Sequence, residues 1–207
     1  MNNITVQYNE ILGIRDSYEA PGRVLQLLTE SSKVDRDDCF YQLAKVNNFD
    51  FAKDWFWEYF QDEHADRKQN KQDFTPPSIT KIVHNILRAT HLEKTSLVYE
   101  PAAGTGQMII GDWEQQRTKQ MPWEYKPSEH LYVCSEYSVK TIPFLLFNLA
   151  IRGIVAVVYH IDTLRKKIEA IYKLDNPQDS TICYSEVTKL DKESSEYMYL
   201  SALMVGE

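Results

Sequence analysis

The chain has 207 residues, of which 43% are hydrophobic and 26% are charged, and this composition is typical of a folded globular protein. No run of about eighteen apolar residues occurs, and the N-terminus has neither the basic start nor the apolar segment of a signal peptide, so we expect a cytoplasmic chain without membrane contact. The net charge of −7 does not support a nucleic-acid partner, although DNA stays possible through a local basic patch. The best candidate patch, residues 64–71, is interpreted as a solvated helix end or linker.

Cysteine usage predicts neither a disulfide framework nor a metal site. Cys39, Cys134 and Cys183 lie far apart in the sequence, and no Cys-x-x-Cys spacing occurs. This pattern fits a protein of the reducing cytoplasm.

The first seventy residues are expected to form an N-terminal helical region, separate from a second domain over residues 71–207. Pro21 suits the first turn of a helix. Further along, five apolar residues have the spacing of one buried helical stripe: Ala52, Trp55, Phe56, Tyr59 and Phe60. Thr75 is a candidate N-cap for the next helix, whose expected buried face consists of Ile79, Ile82, Val83, Ile86 and Leu87.

Short strands and helices then alternate. Strands are predicted at 97–100, 131–136, 155–160, 169–174 and 181–184, and helices at 105–117, at 138–151 and in a short stretch from about residue 163. This alternation predicts an α/β domain with a doubly wound, mainly parallel sheet of the Rossmann-like type.

Three of the predicted strands end at or near an acidic residue, namely Glu100, Glu136 and Asp162. Parallel strands would bring these carboxylates to the same edge of the sheet, where open α/β folds bind ligands. The segment Ala103-Gly104-Thr105-Gly106 follows the first strand, and its glycines permit a tight turn that a ligand can approach closely.

The loop does not match the common nucleotide-binding fingerprints. A dinucleotide-binding fingerprint requires a glycine at position 109, where this chain has Ile109. A phosphate-binding P-loop requires a Gly-Lys-Ser/Thr run, which the sequence lacks. An acid immediately before the loop favours a ligand with positive groups over a pyrophosphate. S-adenosylmethionine, with a sulfonium, an ammonium and ribose hydroxyls, has that character.

The ordered motifs resemble those of N6-adenine DNA methyltransferases, in particular the modification subunits of type I restriction systems and their phage-borne relatives. The resemblance covers residues 73–77, 98–106, 135–136, 147–154 and 162–164. It implies a cofactor site for S-adenosylmethionine. Its expected members are Phe74, Thr75, Glu100, Pro101, Ala103, Gly104, Thr105, Gly106, Glu136 and Asp162.

The resemblance also implies individual roles. Phe74 and Thr75 would pack against the cofactor, and Glu100 with the glycine loop would hold its methionine moiety. Glu136 would accept hydrogen bonds from the ribose hydroxyls, and Asp162 would meet the adenine amino group.

The catalytic tetrapeptide of the family, Asn/Asp-Pro-Pro-aromatic, is only partly matched. Asn176 and Pro177 follow the fourth predicted strand, but Gln178 and Asp179 replace the second proline and the aromatic residue that stacks on a flipped base. Asn176 is the candidate acceptor for the adenine amine, whereas Asn-Pro is also a common turn signal.

Three functions therefore stay open. The chain is an adenine-N6 DNA methyltransferase, or it retains the fold as a regulator, decoy or partner of a restriction-modification or host protein. A methyltransferase that acts on a protein or a small molecule is the third class. A protein partner or a homo-oligomer is possible in each case.

Overall fold

The computed structural model describes residues 3–59, 79 and 97–206. Its helices are α1 (Asn3–Leu12), α2 (Ala20–Thr29), α3 (Lys33–Val46), α4 (Gln107–Thr118), α5 (Ile142–Ala150) and α6 (Ser195–Val205). Its strands are β1 (Leu97–Glu100), β2 (Leu131–Glu136), β3 (Val155–Asp162), β4 (Lys167–Asp175) and β5 (Glu186–Lys189). Single 3₁₀ turns occur at Ser17–Glu19 and Pro127–Glu129.

The N-terminal region is helical, as the sequence predicts. Pro21 lies in the first turn of α2, where its missing N–H has no intrahelical partner to lose. The Ser32 side chain accepts a hydrogen bond from the Asp35 N–H and so caps α3.

The aromatic stripe is buried at Trp55, Phe56 and Tyr59, as predicted, but its helix begins later than expected. Residues 51–56 form turns, and helical geometry starts at residue 57. Ala52 is therefore exposed and does not belong to the buried face.

The sheet is mixed, which corrects the expectation of a mainly parallel, doubly wound arrangement. Its five strands follow the order β1-β2-β3-β4-β5, so the described strands show no reversal of strand order. The β1–β2 and β2–β3 pairs are parallel, whereas the β3–β4 and β4–β5 pairs are antiparallel. Parallel pairing is thus confirmed for the first three strands only.

The antiparallel half arises because β3 turns directly into β4. The turn occupies residues 163–166, where a short helix was predicted, and Lys166 adopts a positive φ of 53° within it. The fourth strand forms as predicted, but β5 lies a few residues after the segment 181–184 that was predicted for it.

Both faces of the sheet are covered by helices. The larger core lies on the side of α4 and α5 and continues into the N-terminal helices, where Phe40 contacts Phe147 and Phe56 contacts Phe144 at ring-centroid distances of 4.7 and 4.6 Å. All nine residues of α5 are buried, which is typical of a helix enclosed on all sides. On the other face α6 packs through Tyr197 against a smaller core of β3 and β4.

Part of the predicted organisation lies outside the described residues. This applies to Phe60, to the basic run 64–71, to the predicted domain boundary at residue 70 and to most of the helix predicted after Thr75. Ile79 is described; it is helical but 45% exposed, so it is not on a buried face. Within the described part of the chain, no helix is long and apolar enough to cross a membrane.

Candidate functional site

The glycine loop connects β1 to α4 at the carboxyl edge of the parallel strands. Gly104 and Gly106 have φ values of +56° and +102°, which L-residues with a Cβ rarely adopt. A Cβ at Gly106 would also lie 3.0 Å from Leu145 Cδ1, so this glycine permits close packing of the loop against α5. The Ala103 N–H donates to the Ser135 carbonyl at 2.9 Å, and this bond holds the loop to the end of β2.

The parallel register brings the three predicted acids to one edge. Glu100 is paired with Cys134, and Glu136 lies two residues further along β2, paired with His160 on β3. Because side chains alternate along a strand and registered neighbours share a face, Glu100 and Glu136 lie on the same face of the sheet as α4 and α5. Asp162 lies two residues beyond His160, at the end of β3.

Glu136 contacts the loop at the first of its two glycines. Its Oε2 accepts a hydrogen bond from the Gly104 N–H at 2.9 Å, and its Oε1 accepts from the Ser138 N–H at 2.7 Å. Each carboxylate oxygen keeps a second lone pair, so Glu136 can still accept a hydrogen bond from a ligand.

Glu100 is partly buried, and its environment favours a cationic ligand. Among the described residues, the carboxylate accepts one hydrogen bond, a long one of 3.4 Å from the Ala102 N–H to Oε1. Burial raises the pKa of the Glu100 carboxyl, and the Ala102 hydrogen bond offsets this effect in part. A positively charged group beside Glu100 would stabilise its ionised form.

Asp162 lies at the tip of the β3–β4 hairpin. Its Oδ1 accepts a hydrogen bond from the Arg165 N–H at 3.0 Å, and its Oδ2 lies 3.7 Å from the exposed Arg165 guanidinium. The side chain thus caps the turn, and its second oxygen is only loosely engaged.

Behind the loop lies a buried polar cluster that the sequence reasoning missed. We call it the Asp54 cluster; its members are Asp54, Thr105, Asn148 and Arg152. Thr105 Oγ1 donates to Asp54 Oδ2 at 2.5 Å, while Asn148 Nδ2 donates to Asp54 Oδ1 at 2.7 Å and to the Thr105 carbonyl at 2.8 Å. The cluster connects the segment 51–56, the glycine loop and α5.

Burial dominates the electrostatics of this cluster. It raises the pKa of the Asp54 carboxyl, an effect that the hydrogen bond from Thr105 and the nearby Arg152 charge oppose. It lowers the pKa of the Arg152 guanidinium to about 10, against the stabilising charge of Asp54. Asp54 belongs to no sequence motif, and it lies 51 residues before its partner Thr105. Local sequence patterns therefore could not identify it.

The structure does not bring Asn176 and Pro177 to the glycine loop. Because β4 runs antiparallel to β3, its carboxyl end lies at the opposite edge of the sheet, beside the start of β3. Asn176 is buried there, and its Nδ2 donates to the carbonyls of Gly153, Ser180 and Cys183 at 3.1, 2.8 and 3.2 Å. Pro177 is exposed.

Asp179 has a structural contact where the resemblance would require an aromatic ring. Its two carboxylate oxygens accept hydrogen bonds from the Ser128 N–H and hydroxyl at 2.8 and 2.9 Å. Segment 176–180 is therefore a turn, as the alternative interpretation of Asn-Pro expected.

Phe74 and Thr75, the remaining predicted cofactor residues, lie outside the described part of the chain. Pro101 and Ala103 lie at the start of the glycine loop, Pro101 exposed and Ala103 buried. Residues 3–59, 79 and 97–206 contain no group of three or more histidine, cysteine, aspartate or glutamate residues that could hold a metal ion.

Comparison with known families gives one match. The protein family described as N-6 DNA Methylase matches residues 50–184, which is more than half of the 207-residue chain. The matched range includes the Asp54 cluster, the glycine loop and all three strand-end acids. No match was found among curated proteins or among solved structures.

Proposed function

Because the chain belongs to the N-6 DNA methylase family, we propose that it binds S-adenosylmethionine at the glycine loop and methylates adenine N6 in DNA. The observation that carries this proposal is the common edge of the parallel strands. At this edge, the loop that contains the two positive-φ glycines lies beside Glu100 and Glu136, whose side chains share one face of the sheet.

The residues present fit this cofactor. Glu100 is a partly buried carboxylate that has one long hydrogen bond and no ion pair among the described residues, so an ammonium group would supply the missing counter-charge. Glu136 has lone pairs left for ribose hydroxyls. The loop has no lysine or other cation that would favour a pyrophosphate.

Each residue of the edge has a distinct proposed role. Glu100, with the loop from Pro101 to Gly106, binds the methionine end, and Glu136 orients the ribose while it fixes the Gly104 N–H. Asp162 accepts from the adenine amino group through the oxygen that is only loosely engaged by Arg165. Phe74 and Thr75 are proposed to pack against the cofactor, as the resemblance implies.

When bound, S-adenosylmethionine supplies an electrophilic methyl group on its sulfonium. The carboxylates beside it hold positive charge near the edge of the sheet and so orient the cofactor. We do not assign acceptance of the adenine amine to Asn176, because its amide is committed to backbone carbonyls at the other edge.

Calorimetry with S-adenosylmethionine tests the binding half of the proposal. We expect one site per chain, and we expect Glu100→Ala to weaken binding at least about tenfold, since a charged hydrogen-bonded pair is worth about 1.5–3 kcal/mol. Wild-type protein that gives no heat at millimolar cofactor contradicts the proposal.

Transfer of labelled methyl groups to DNA tests the catalytic half. Incorporation at adenine N6 supports the enzyme. If the cofactor binds and DNA stays unlabelled, the chain acts as a regulator or decoy, unless a protein or small molecule takes up the label instead.

A further inference from the structure

We infer that Asp54 is a positioning residue of the glycine loop, and that it sets the affinity for S-adenosylmethionine without touching the ligand. The inference rests on the proposed function. It assigns a part in cofactor binding to the segment 51–56, which precedes the loop by about fifty residues and carries none of the recognised motifs.

The loop needs such an anchor because of its two glycines. Gly104 and Gly106 both have positive φ, and glycine populates many other conformations at little cost. Thr105 lies between them and is completely buried. Its side chain therefore cannot meet a ligand, and it is free to fix the loop from behind.

Asp54 provides the acceptor for that side chain. Its carboxylate receives three hydrogen bonds: from Thr105 Oγ1 at 2.5 Å, from Asn148 Nδ2 at 2.7 Å and from the Phe56 N–H at 3.0 Å. Asn148 also donates to the Thr105 carbonyl. Thr105 is thus held through both its hydroxyl and its backbone, with Asp54 and Asn148 bonded to each other.

Arg152 fixes the segment that carries Asp54. Its guanidinium donates to the carbonyls of Phe51 and Lys53, which both closely precede Asp54 in the chain, at 2.7 and 2.5 Å. It also donates to the Asn148 carbonyl at 2.5 Å. Asp54 therefore has a fixed position relative to α5, and a hydrogen bond from it can restrain the loop.

A restrained loop binds its ligand more tightly because less conformational freedom is lost on binding. The Asp54–Thr105 hydrogen bond cannot restrain the loop by more than its own free energy, so its removal should change the affinity by at least about tenfold and by roughly a hundredfold at most. We expect removal of the Asp54–Thr105 bond to weaken cofactor binding within that range, at a distance from the ligand.

The experiment uses the full chain and three variants: Asp54→Ala, Thr105→Val and the double variant. Thr105→Val keeps the shape of the buried side chain but removes the hydroxyl. The affinity for S-adenosylmethionine is measured by calorimetry at a temperature where circular dichroism shows each variant folded. Each single variant should bind at least about tenfold more weakly, and the double variant should bind no more weakly than the weaker single variant.

Ser185→Ala is the matched control. The Ser185 hydroxyl is also completely buried, and it donates to the Ile154 carbonyl at 2.8 Å, at the edge of the sheet opposite the glycine loop. Ser185→Ala should lose stability but bind the cofactor within about twofold of wild type. Hydrogen exchange at the Gly104 and Gly106 amides should quicken in the Asp54 and Thr105 variants and stay unchanged in Ser185→Ala.

The outcomes separate this inference from the proposed function. Wild-type protein that does not bind the cofactor overturns the proposed function and this inference with it. Wild-type binding with less than twofold weakening in Thr105→Val overturns the positioning role alone, and so does equal weakening in Ser185→Ala. If Asp54→Ala does not fold, Thr105→Val decides by itself.

Discussion

Substitution of Asn176 by alanine should reduce stability and leave cofactor binding intact. The reason lies in the position of the side chain: it is 8% exposed, at the edge of the sheet opposite the glycine loop. Its amide nitrogen reaches the carbonyls of Gly153, Ser180 and Cys183. A Cβ on Gly153 would lie 2.7 Å from that nitrogen, so the space for the amide is closely fitted.

The expected loss follows from the number of bonds that the amide can make. An NH₂ group has two hydrogens, so at most two of the three carbonyl contacts are full hydrogen bonds at one time. Leaving a buried acceptor without its donor costs about 1–3 kcal/mol. Two such losses, partly relieved by water that enters the space, give an expected decrease of about 2–4 kcal/mol in the free energy of unfolding.

Urea unfolding followed by circular dichroism measures this loss, with Gln178→Ala as the control at an exposed neighbouring position. The control should stay within about 0.5 kcal/mol of wild type. Calorimetry on folded Asn176→Ala should give a wild-type affinity for S-adenosylmethionine. A variant of unchanged stability that binds the cofactor but no longer methylates DNA would refute the structural role and restore Asn176 as the amine acceptor.

Arg152→Ala should lower the free energy of unfolding by about 3–5 kcal/mol, because three carbonyls and the buried Asp54 charge lose their partner. Urea unfolding measures this loss, and a value below about 1 kcal/mol would contradict the prediction. Gly106→Ala should lower the free energy of unfolding by about 2–4 kcal/mol in the same assay. Gly13→Ala should lower it less, because Gly13 also has a positive φ but has open space around it. Equal losses in the two variants would argue against close packing at Gly106. Cofactor affinity, measured by calorimetry, should fall as the pH falls through the raised pKa of Glu100, because the neutral acid cannot pair with an ammonium group. This pH dependence should be absent in Glu100→Gln. If it persists in that variant, another group causes it.

The first three strands were predictable because their signals are local. Each is a short apolar run, and the two that precede helices end in an acid beside turn-forming residues, so both the parallel pairing and the common edge followed. The glycine loop was predictable for the same reason, since Gly104 and Gly106 mark a tight turn directly after β1.

The β3–β4 hairpin was missed because its turn has no glycine, asparagine or proline in residues 163–166, and Lys166 takes the positive φ instead. This turn reverses the direction of β4 and so places Asn176 at the edge of the sheet opposite the glycine loop. The missed turn is therefore the reason why Asn176 was wrongly expected near the cofactor site. Helix α6 was also overlooked, although Ser194 caps it, Tyr197, Leu200 and Met204 have helical spacing, and Gly206 ends it.

The Asp54 cluster could not be predicted in the same way. Asp54 and Thr105 are adjacent only because the N-terminal helices pack on α5, and that packing depends on side chains from the whole chain. A single aspartate before a tryptophan has no distinctive local pattern. Tertiary structure alone shows that it lies behind the loop.

If the carboxyl edge of β1–β3 binds S-adenosylmethionine, calorimetric titration of the wild-type chain will detect the binding. We predict saturable binding at one site, weakened at least about tenfold in Glu100→Ala and unchanged in Gln178→Ala. Absence of binding at millimolar cofactor, or equal binding in Glu100→Ala and wild type, would contradict the claim.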